Sequence, residues 1–243
     1  MLSSALIRAQ IEEKLPAAFT AYRRAELGSI PTGIAAVDTV VQGVPLHALT
    51  EICGSNLASS GKTSVLTSLL VQASQEHFCV LVDATDSFDP RSAQTAGVNL
   101  KRLLWIRCGG RRMKSLEQAF KAADLLLQGS SGGFGLIVVD LVGISERFVR
   151  RIPLTTWFRF SRVIERLPAA LVFVMPCPAI GTCANLTLVL SGAQIRWSKP
   201  APASPAHACL SATLDFQVEI RVRRSCKKPP QSDRSFSAQR RWA

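Results

Sequence analysis

No two of the seven cysteines stand at CxxC spacing, and none of the three histidines (His47, His77, His207) lies at metal-ligand spacing from a cysteine. An odd count without paired spacing argues against both a disulfide framework and a zinc site. Several of the thiols, among them Cys53 and Cys79, fall inside apolar runs, where a free cysteine packs as a small hydrophobe. Long apolar runs are missing too. The longest, Leu167 to Ile180, is interrupted by three prolines and falls short of the roughly 20 residues a membrane helix needs. At the N-terminus Arg8, Glu12, Glu13 and Lys14 stand where a secretory signal would need an unbroken apolar stretch. The reading is a reduced, cytoplasmic protein that does not enter a membrane.

Acidic charge is the other shortage. Seventeen carboxylates face 29 lysines and arginines, a net charge of +12. A balance this basic points to a polyanionic partner, most often nucleic acid. Charge kept only for solubility would be spread evenly, whereas here it gathers between Arg147 and Arg166 and again between Arg221 and Arg241. Hydrophobic residues make up 47% of the 243, enough for a buried core of one sizeable domain and too many for a disordered chain.

Residues 1–28 read as a helix closed by Pro16, followed by a linker. From there short apolar runs alternate with helical stretches. Strands are expected at Leu49–Cys53, Cys79–Asp83, Leu103–Arg107, Leu136–Asp140 and Ala170–Met175, with helices at Lys62–Gln75, Pro90–Ala96, Leu116–Gln128 and Leu154–Leu167. Alternation of this kind implies crossover units and a parallel sheet, and the unbroken apolar strands suit a sheet covered on both faces. After Leu186 the texture turns to strand after strand, at Leu186–Leu190, Gln194–Trp197 and Leu210–Val222, which predicts an antiparallel edge. The core is thus expected over residues 29–226, with 227–243 a disordered basic tail.

Gly54, Asn56, Ser59, Ser60, Gly61, Lys62, Thr63 and Ser64 lie between a predicted strand and a predicted helix, the setting a phosphate-binding loop requires. Loop amides and the helix N-terminus would cradle phosphates, Lys62 would contact them, and the Thr63 hydroxyl would ligate Mg²⁺. The spacing departs from G-x-x-x-x-G-K-[ST]: Asn56 stands where the first glycine belongs, and Gly54 comes two residues early. Asparagine tolerates positive φ better than most residues. The strand Leu136–Val139 ends in Asp140, the Walker B arrangement, whose carboxylate holds Mg²⁺ through water. ATP and Mg²⁺ are the expected ligands.

Ile30-Pro-Thr-Gly33, Val37-Asp38, Gly43-Val-Pro45, Leu49-Thr-Glu-Ile52, Ser59-Ser-Gly-Lys-Thr63, Leu81-Val-Asp83-Ala, Asp89-Pro90 and Ala96-Gly-Val98 follow one another as in the RecA recombinase core, which the chain resembles over roughly residues 5 to 200. The resemblance implies an α/β fold, a RecA-like P-loop NTPase core whose mainly parallel sheet is flanked by helices and extended by an antiparallel edge. It also implies that Asp89 contacts the nucleotide base. Where the family carries a water-activating glutamate this chain has Thr85, which cannot serve as that base; Asp86 is the adjacent candidate substitute. Where the family ends the next core strand with a γ-phosphate-sensing glutamine, this chain has Pro176 and a short loop. These departures look like the divergent ImuA-type RecA homologues, accessory to translesion synthesis. That resemblance implies DNA polymerase accessory and translesion proteins as partners, beside RecA itself or a second copy.

Six arginines (Arg147, Arg150, Arg151, Arg159, Arg162, Arg166) interleave with Trp157, Phe158 and Phe160, the kit for single-stranded DNA. At helical spacing Trp157, Phe160 and Ile164 share one face and Arg159, Arg162 and Arg166 another, which favours the aromatics as core and leaves the arginines for phosphate or a partner. Lys227, Lys228, Arg240 and Arg241 would extend the cationic surface. Three functions stay open on these residues: an ATP-binding accessory scaffold with little hydrolysis, a working DNA-dependent ATPase or recombinase, and a checkpoint-type interaction protein with a decayed nucleotide site.

Overall fold

The computed structural model describes residues 28–54, 60–109, 112–129, 133–197, 211–222 and 234–239. In chain order the elements are β1 (Ser29–Ile30), α1 (Ala35–Val41), β2 (Val44–Pro45), β3 (Ala48–Gly54), α2 (Lys62–Glu76), β4 (Cys79–Asp83), α3 (Pro90–Thr95), β5 (Leu103–Arg107), α4 (Arg112–Gly129), β6 (Leu136–Asp140), α5 (Glu146–Val149), α6 (Leu154–Ile164), β7 (Ala170–Met175), β8 (Leu186–Trp197), β9 (Ser211–Val222) and β10 (Arg234–Gln239). The main sheet runs β10-β9-β8-β3-β7-β6-β4-β5. From β8 to β5 every neighbouring pair is parallel, while β9 and β10 add antiparallel partners at one side.

Period-2 alternation deals each strand's side chains to two cores. Leu49, Cys53, Val80, Val82, Ile137, Val139, Leu171 and Phe173 face α4, α6 and the segment between β7 and β8. Ile52, Cys79, Leu81, Leu136, Val138, Val172 and Val174 face α1, α2 and α3. Strands buried on both sides need apolar residues at every position, so the four-residue run Leu136–Val139 is wholly buried. On the first face Phe120, Trp157, Phe160 and Phe173 form one aromatic cluster, with centroids 5.1 Å apart for Trp157–Phe173 and 5.7 Å for Phe120–Phe160.

The expected strands and helices of the parallel core stand within a few residues of their sequence-read positions, and three differences have physical causes. Leu186–Leu190 and Gln194–Trp197 are one strand, not two; the interruption is a register shift between Ser191 and Gln194, where Gly192 takes φ 63°, a conformation glycine adopts without cost. The helix beginning at Leu154 stops at Ile164 instead of Leu167, ahead of Pro168, which cannot continue a helical ladder. The tail expected to be disordered contains β10, paired antiparallel to β9 from Arg234↔Val218 to Gln239↔Thr213; β9 would otherwise present an unpaired edge. The N-terminal helix expected in residues 1–28 lies outside the described residues, as do residues 227–233 and 240–243.

β7 and β8 flank β3 on opposite sides, so the ten residues between them must cross over it. Parallel crossovers ordinarily use a dozen or more residues and a helix that satisfies its own amides. This one has only a single 3₁₀ turn, Gly181–Cys183, and its amides find a side chain. Glu51, in the middle of β3 and 1% exposed, accepts from Ala179 N (2.7 Å) and Ile180 N (3.1 Å) at Oε1 and from the Thr187 hydroxyl (3.1 Å) at Oε2. Removing the acceptor would strand two buried donors, at ~1–3 kcal/mol each, and a third, the Ala179 amide, that is part-buried. Glu51→Ala is therefore expected to lower unfolding free energy by ~3 kcal/mol or more in denaturant titration. Glu51→Gln, which keeps an oxygen for the two amides, should lose much less. Equal losses in the two variants would show that the crossover does not depend on this carboxylate.

Candidate nucleotide site

The parallel register brings the C-terminal ends of the strands to one edge: Gly54 lies beside Leu190, Cys53 beside Met175, Asp140 beside Val174, and Asp83 beside Asp140. Between β3 and β7 the chain order reverses, because β3 leads outward to β4 while β7 leads back to β8. Ligands of open α/β sheets bind at such a switch point. Strand parity then sets the face. Asp140 and Asp83 follow Leu136, Val138, Cys79 and Leu81, so they end on the side covered by α2.

At that edge α2 begins. Gly61 caps it in the left-handed region, φ 78°, which places Lys62 at the first helical position. Lys62 is buried, and its ammonium donates to the Gly54 carbonyl across the mouth of the loop. Burial lowers its pKa, while Cys53, Asp140, Glu146 and Cys177 lie within electrostatic reach and hold the charge. Gly54 is required where it stands, since a Cβ there would meet the Leu190 carbonyl at 2.5 Å and Ser60 at 3.0 Å. Ser60 is buried, Thr63 exposed and Ser64 half-buried in the first turn of α2. Asn56 and Ser59 lie outside the described residues.

Asp140 is nearly inaccessible and accepts from Val142 N at 2.9 Å. Burial, with Asp83 adding to it, pushes its carboxyl up to about 6 against the opposing pull of the Val142 amide and Lys62. A buried carboxylate whose ionisation is held back in this way suits a site completed by a cation. A glycine cradle with no room for a Cβ, a buried lysine at a helix N-terminus and this aspartate on the same sheet face fit a nucleotide triphosphate with Mg²⁺. Lys62 would hold phosphate, and Thr63 and Asp140 the metal.

Two sequence-named residues have other occupations. Asp89 caps α3, accepting from Arg91 N at 3.0 Å and from the Ser92 hydroxyl; these bonds hold its carboxyl below the usual range. Asp86, at φ 55°, is paired bidentately with Arg107 at 2.6 and 2.5 Å. That ion pair lowers its pKa, the wrong direction for a general base. Asp83, which the sequence reading left without a role, shapes the loop between them by accepting from Thr85 N (3.1 Å) and Phe88 N (2.9 Å). Thr85 packs where a Cβ on Gly143 would come within 2.6 Å of its methyl. A cleft of about 430 Å³ opens here, lined by Ala84, Thr85, Asp86, Cys108, Gly109, Ser115 and Gly143. Neither Lys62 nor Asp140 lines it, so the candidate nucleotide site rests on the side chains and not on this cleft. Glu146 was also missed; only the tertiary placement of α5 brings its charge to Lys62.

Of the arginines, Arg150 pairs with Glu146 at 3.5 Å and Arg159 with Asp124 at 2.8 Å. Arg147 stacks over Phe148. Arg151, Arg162 and Arg166 are exposed. Trp157 and Phe160 are fully buried, as their helical spacing implies. Lys227, Lys228, Arg240 and Arg241 lie outside the described residues. Among the described residues, no group of three or more His, Cys, Asp or Glu could hold a metal by itself, and no helix is long and apolar enough to cross a membrane.

The raised carboxyl of Asp140 has a pH signature. A carboxyl that titrates near 6 in the fold and near 3.8 outside it favours the folded state fully below about pH 4, and that contribution is lost as pH rises through 6. The difference amounts to ~3 kcal/mol. Asp140→Asn keeps the acceptor for Val142 N and removes the charge. In thermal melts without nucleotide it is expected to be more stable than the parent at pH 8, by up to ~3 kcal/mol, with the margin closing toward pH 4. A margin independent of pH would refute the buried, charge-resisting site.

The RecA N-terminal domain family matches residues 15–146, a span that contains Lys62, Asp83, Asp89 and Asp140. Protein RecA of Cutibacterium acnes is 37% identical over 120 residues, 48% of this chain and 32% of that protein. Protein RecA of Methylococcus capsulatus is 35% identical over 120 residues, again 32% of its length. Protein RecA of Aquifex aeolicus is 34% identical over 122 residues, 49% of this chain and 33% of the relative. The chain thus spans about a third of the length of these curated relatives. With the family matched over more than half of its residues, and with the strand order and phosphate-loop helix that accompany that match, the chain belongs to the RecA family.

Proposed function

We propose that this protein binds ATP with Mg²⁺ and serves in DNA repair as an accessory scaffold for translesion synthesis, hydrolysing ATP slowly and touching single-stranded DNA. The observation that carries the nucleotide reading is Lys62 at the N-terminus of α2, on the same sheet face as the buried Asp140. Asn56, Ser59, Ser60, Gly61 and Ser64 would line the phosphates. Slow hydrolysis follows from Thr85, which has no proton-accepting carboxylate, and from the engagement of Asp86 by Arg107. The scaffold role is supported by Pro176 and by the short crossover tied to Glu51. A segment whose Ala179 and Ile180 amides are tied to Glu51 is poorly suited to open onto DNA, which leaves the exposed arginines of the Arg147–Arg166 region for that contact.

Glu146 favours a second reading, a working DNA-dependent ATPase. It is a carboxylate within electrostatic reach of Lys62, and its ion-pair partner among the described residues is Arg150, at 3.5 Å.

Two measurements test these readings. Lys62→Ala is expected to abolish ATP binding in calorimetry while the circular dichroism spectrum persists; equal affinity in mutant and parent would remove the nucleotide reading. Turnover with single-stranded DNA should lie about 10²- to 10⁴-fold below that of a RecA recombinase, the usual cost of a missing general base. Turnover at recombinase level that Glu146→Gln abolishes would establish the ATPase reading instead.

A further inference from the structure

Sheet order fixes what lies between the two halves of the candidate nucleotide site. The Lys62 ammonium donates to Gly54, the last residue of β3, Asp140 ends β6, and β7 stands between those two strands. A group bridging Lys62 and Asp140 must therefore pass over the C-terminal end of β7. The segment after Asp140 folds over that same end. Leu141 N donates to the Val174 carbonyl at 2.8 Å, and Ile144 and Val149 are buried in one cluster with Met175 and Cys177. Arg150 directly follows Val149, the last residue of α5, and its side chain is 61% exposed. Burial raises the Cys177 thiol, and Arg150, Glu146, Glu51 and Lys62 all act on it as charges, so the guanidinium and the Lys62 ammonium are felt at one buried sulfur. Of the two carboxylates there, Glu51 is taken by Ala179, Ile180 and Thr187. Glu146 is the only ion-pair partner of Arg150 among the described residues, at 3.5 Å between two well-exposed side chains, a pairing of little strength.

We infer that Arg150 reads the terminal phosphate of the bound nucleotide, leaving Glu146 for that phosphate when a triphosphate is present and returning to it when the phosphate is gone. This rests on the nucleotide reading above and adds to it a preference for triphosphate over diphosphate. Loop amides enclose the inner phosphates of a nucleotide while the lysine reaches the outer ones, so the charge lying over β7 is that of the outermost phosphate. A planar guanidinium can hold two of its oxygens at once through short charge-assisted bonds, which a single long contact to a carboxylate does not match. Glu146 and Arg150 are four residues apart on one face of α5, so the exchange needs rotation of one side chain and no backbone movement. Neighbouring cations are placed differently: Arg147 lies over the Phe148 ring, and Arg151, one position on, does not share the face of Arg150. Arg150 is thereby withdrawn from the arginines left for DNA.

The test uses the full chain with Mg²⁺ and compares ATP with ADP by calorimetry. Arg150→Ala is expected to bind ATP about 10- to 100-fold more weakly, the usual cost of a hydrogen bond to a charged group, and to bind ADP as the parent does. The retained ADP affinity shows at the same time that the variant is folded. Arg150→Lys keeps the charge without the fork and should fall between the parent and Arg150→Ala for ATP. A parent that binds neither nucleotide removes the nucleotide reading, and this inference with it. A parent that binds both, and whose ATP and ADP affinities fall alike or not at all after Arg150→Ala, keeps the nucleotide reading and overturns the role of Arg150.

Discussion

Glu51 sits where a carboxylate should be costly, in the middle of a parallel strand with no water at hand, and the rest of the sheet is arranged around the three hydrogen bonds it accepts. β3 is the strand that leads toward Lys62 and α2, and its two neighbours are joined by the crossover that this side chain anchors. A helix in that crossover would satisfy its own amides; a ten-residue strap cannot. The carboxylate takes over the helix's work and holds Ile180 and Cys183 in the core beneath α6. An uncompensated charge at this depth would be strongly unfavourable. Two amides and a hydroxyl on its oxygens make the position tenable.

The sheet separates two chemistries by parity alone. On the α2 side lie Lys62, at the start of that helix, and the strand-end carboxylates Asp83 and Asp140. On the other side lie Glu51 and the aromatic cluster that pins α6. Both are spaced by the same strands. The candidate nucleotide site and helix α6 are thereby spaced by a layer that is buried on both faces and has little freedom to shear.

The loop from Ala84 to Asp89 commits its carboxylates to the fold. Asp83 fastens the loop through two backbone amides, Asp86 reaches sideways to Arg107, and Asp89 turns down to cap α3. Every carboxylate in the segment is committed to structure or to an ion pair. Hydrogen bonds and an arginine partner favour the ionised form of Asp86 and Asp89, so both are weakened as proton acceptors.

The parallel core was legible in the sequence because β4, β6 and β7 are apolar runs buried on both faces, and because Gly61-Lys62-Thr63 and Asp140 lie at the ends of apolar runs. The buried aromatics of α6 were legible for a similar reason, their 3.6-residue spacing. Tertiary structure decided what depends on meetings between distant segments. That Glu51 anchors residues 179 and 180, 128 or more positions away, has no local signature, since a glutamate in an apolar strand reads as an exception until its partners arrive. The same holds for Asp86, whose role is set by Arg107 on the next strand, for Glu146, whose charge matters only because α5 lies near Lys62, and for β10, whose polar sequence becomes a strand through the unpaired edge of β9. Periodicity is a property of one segment and can be read along it; a hydrogen bond or ion pair between segments exists only once the sheet order has set them side by side.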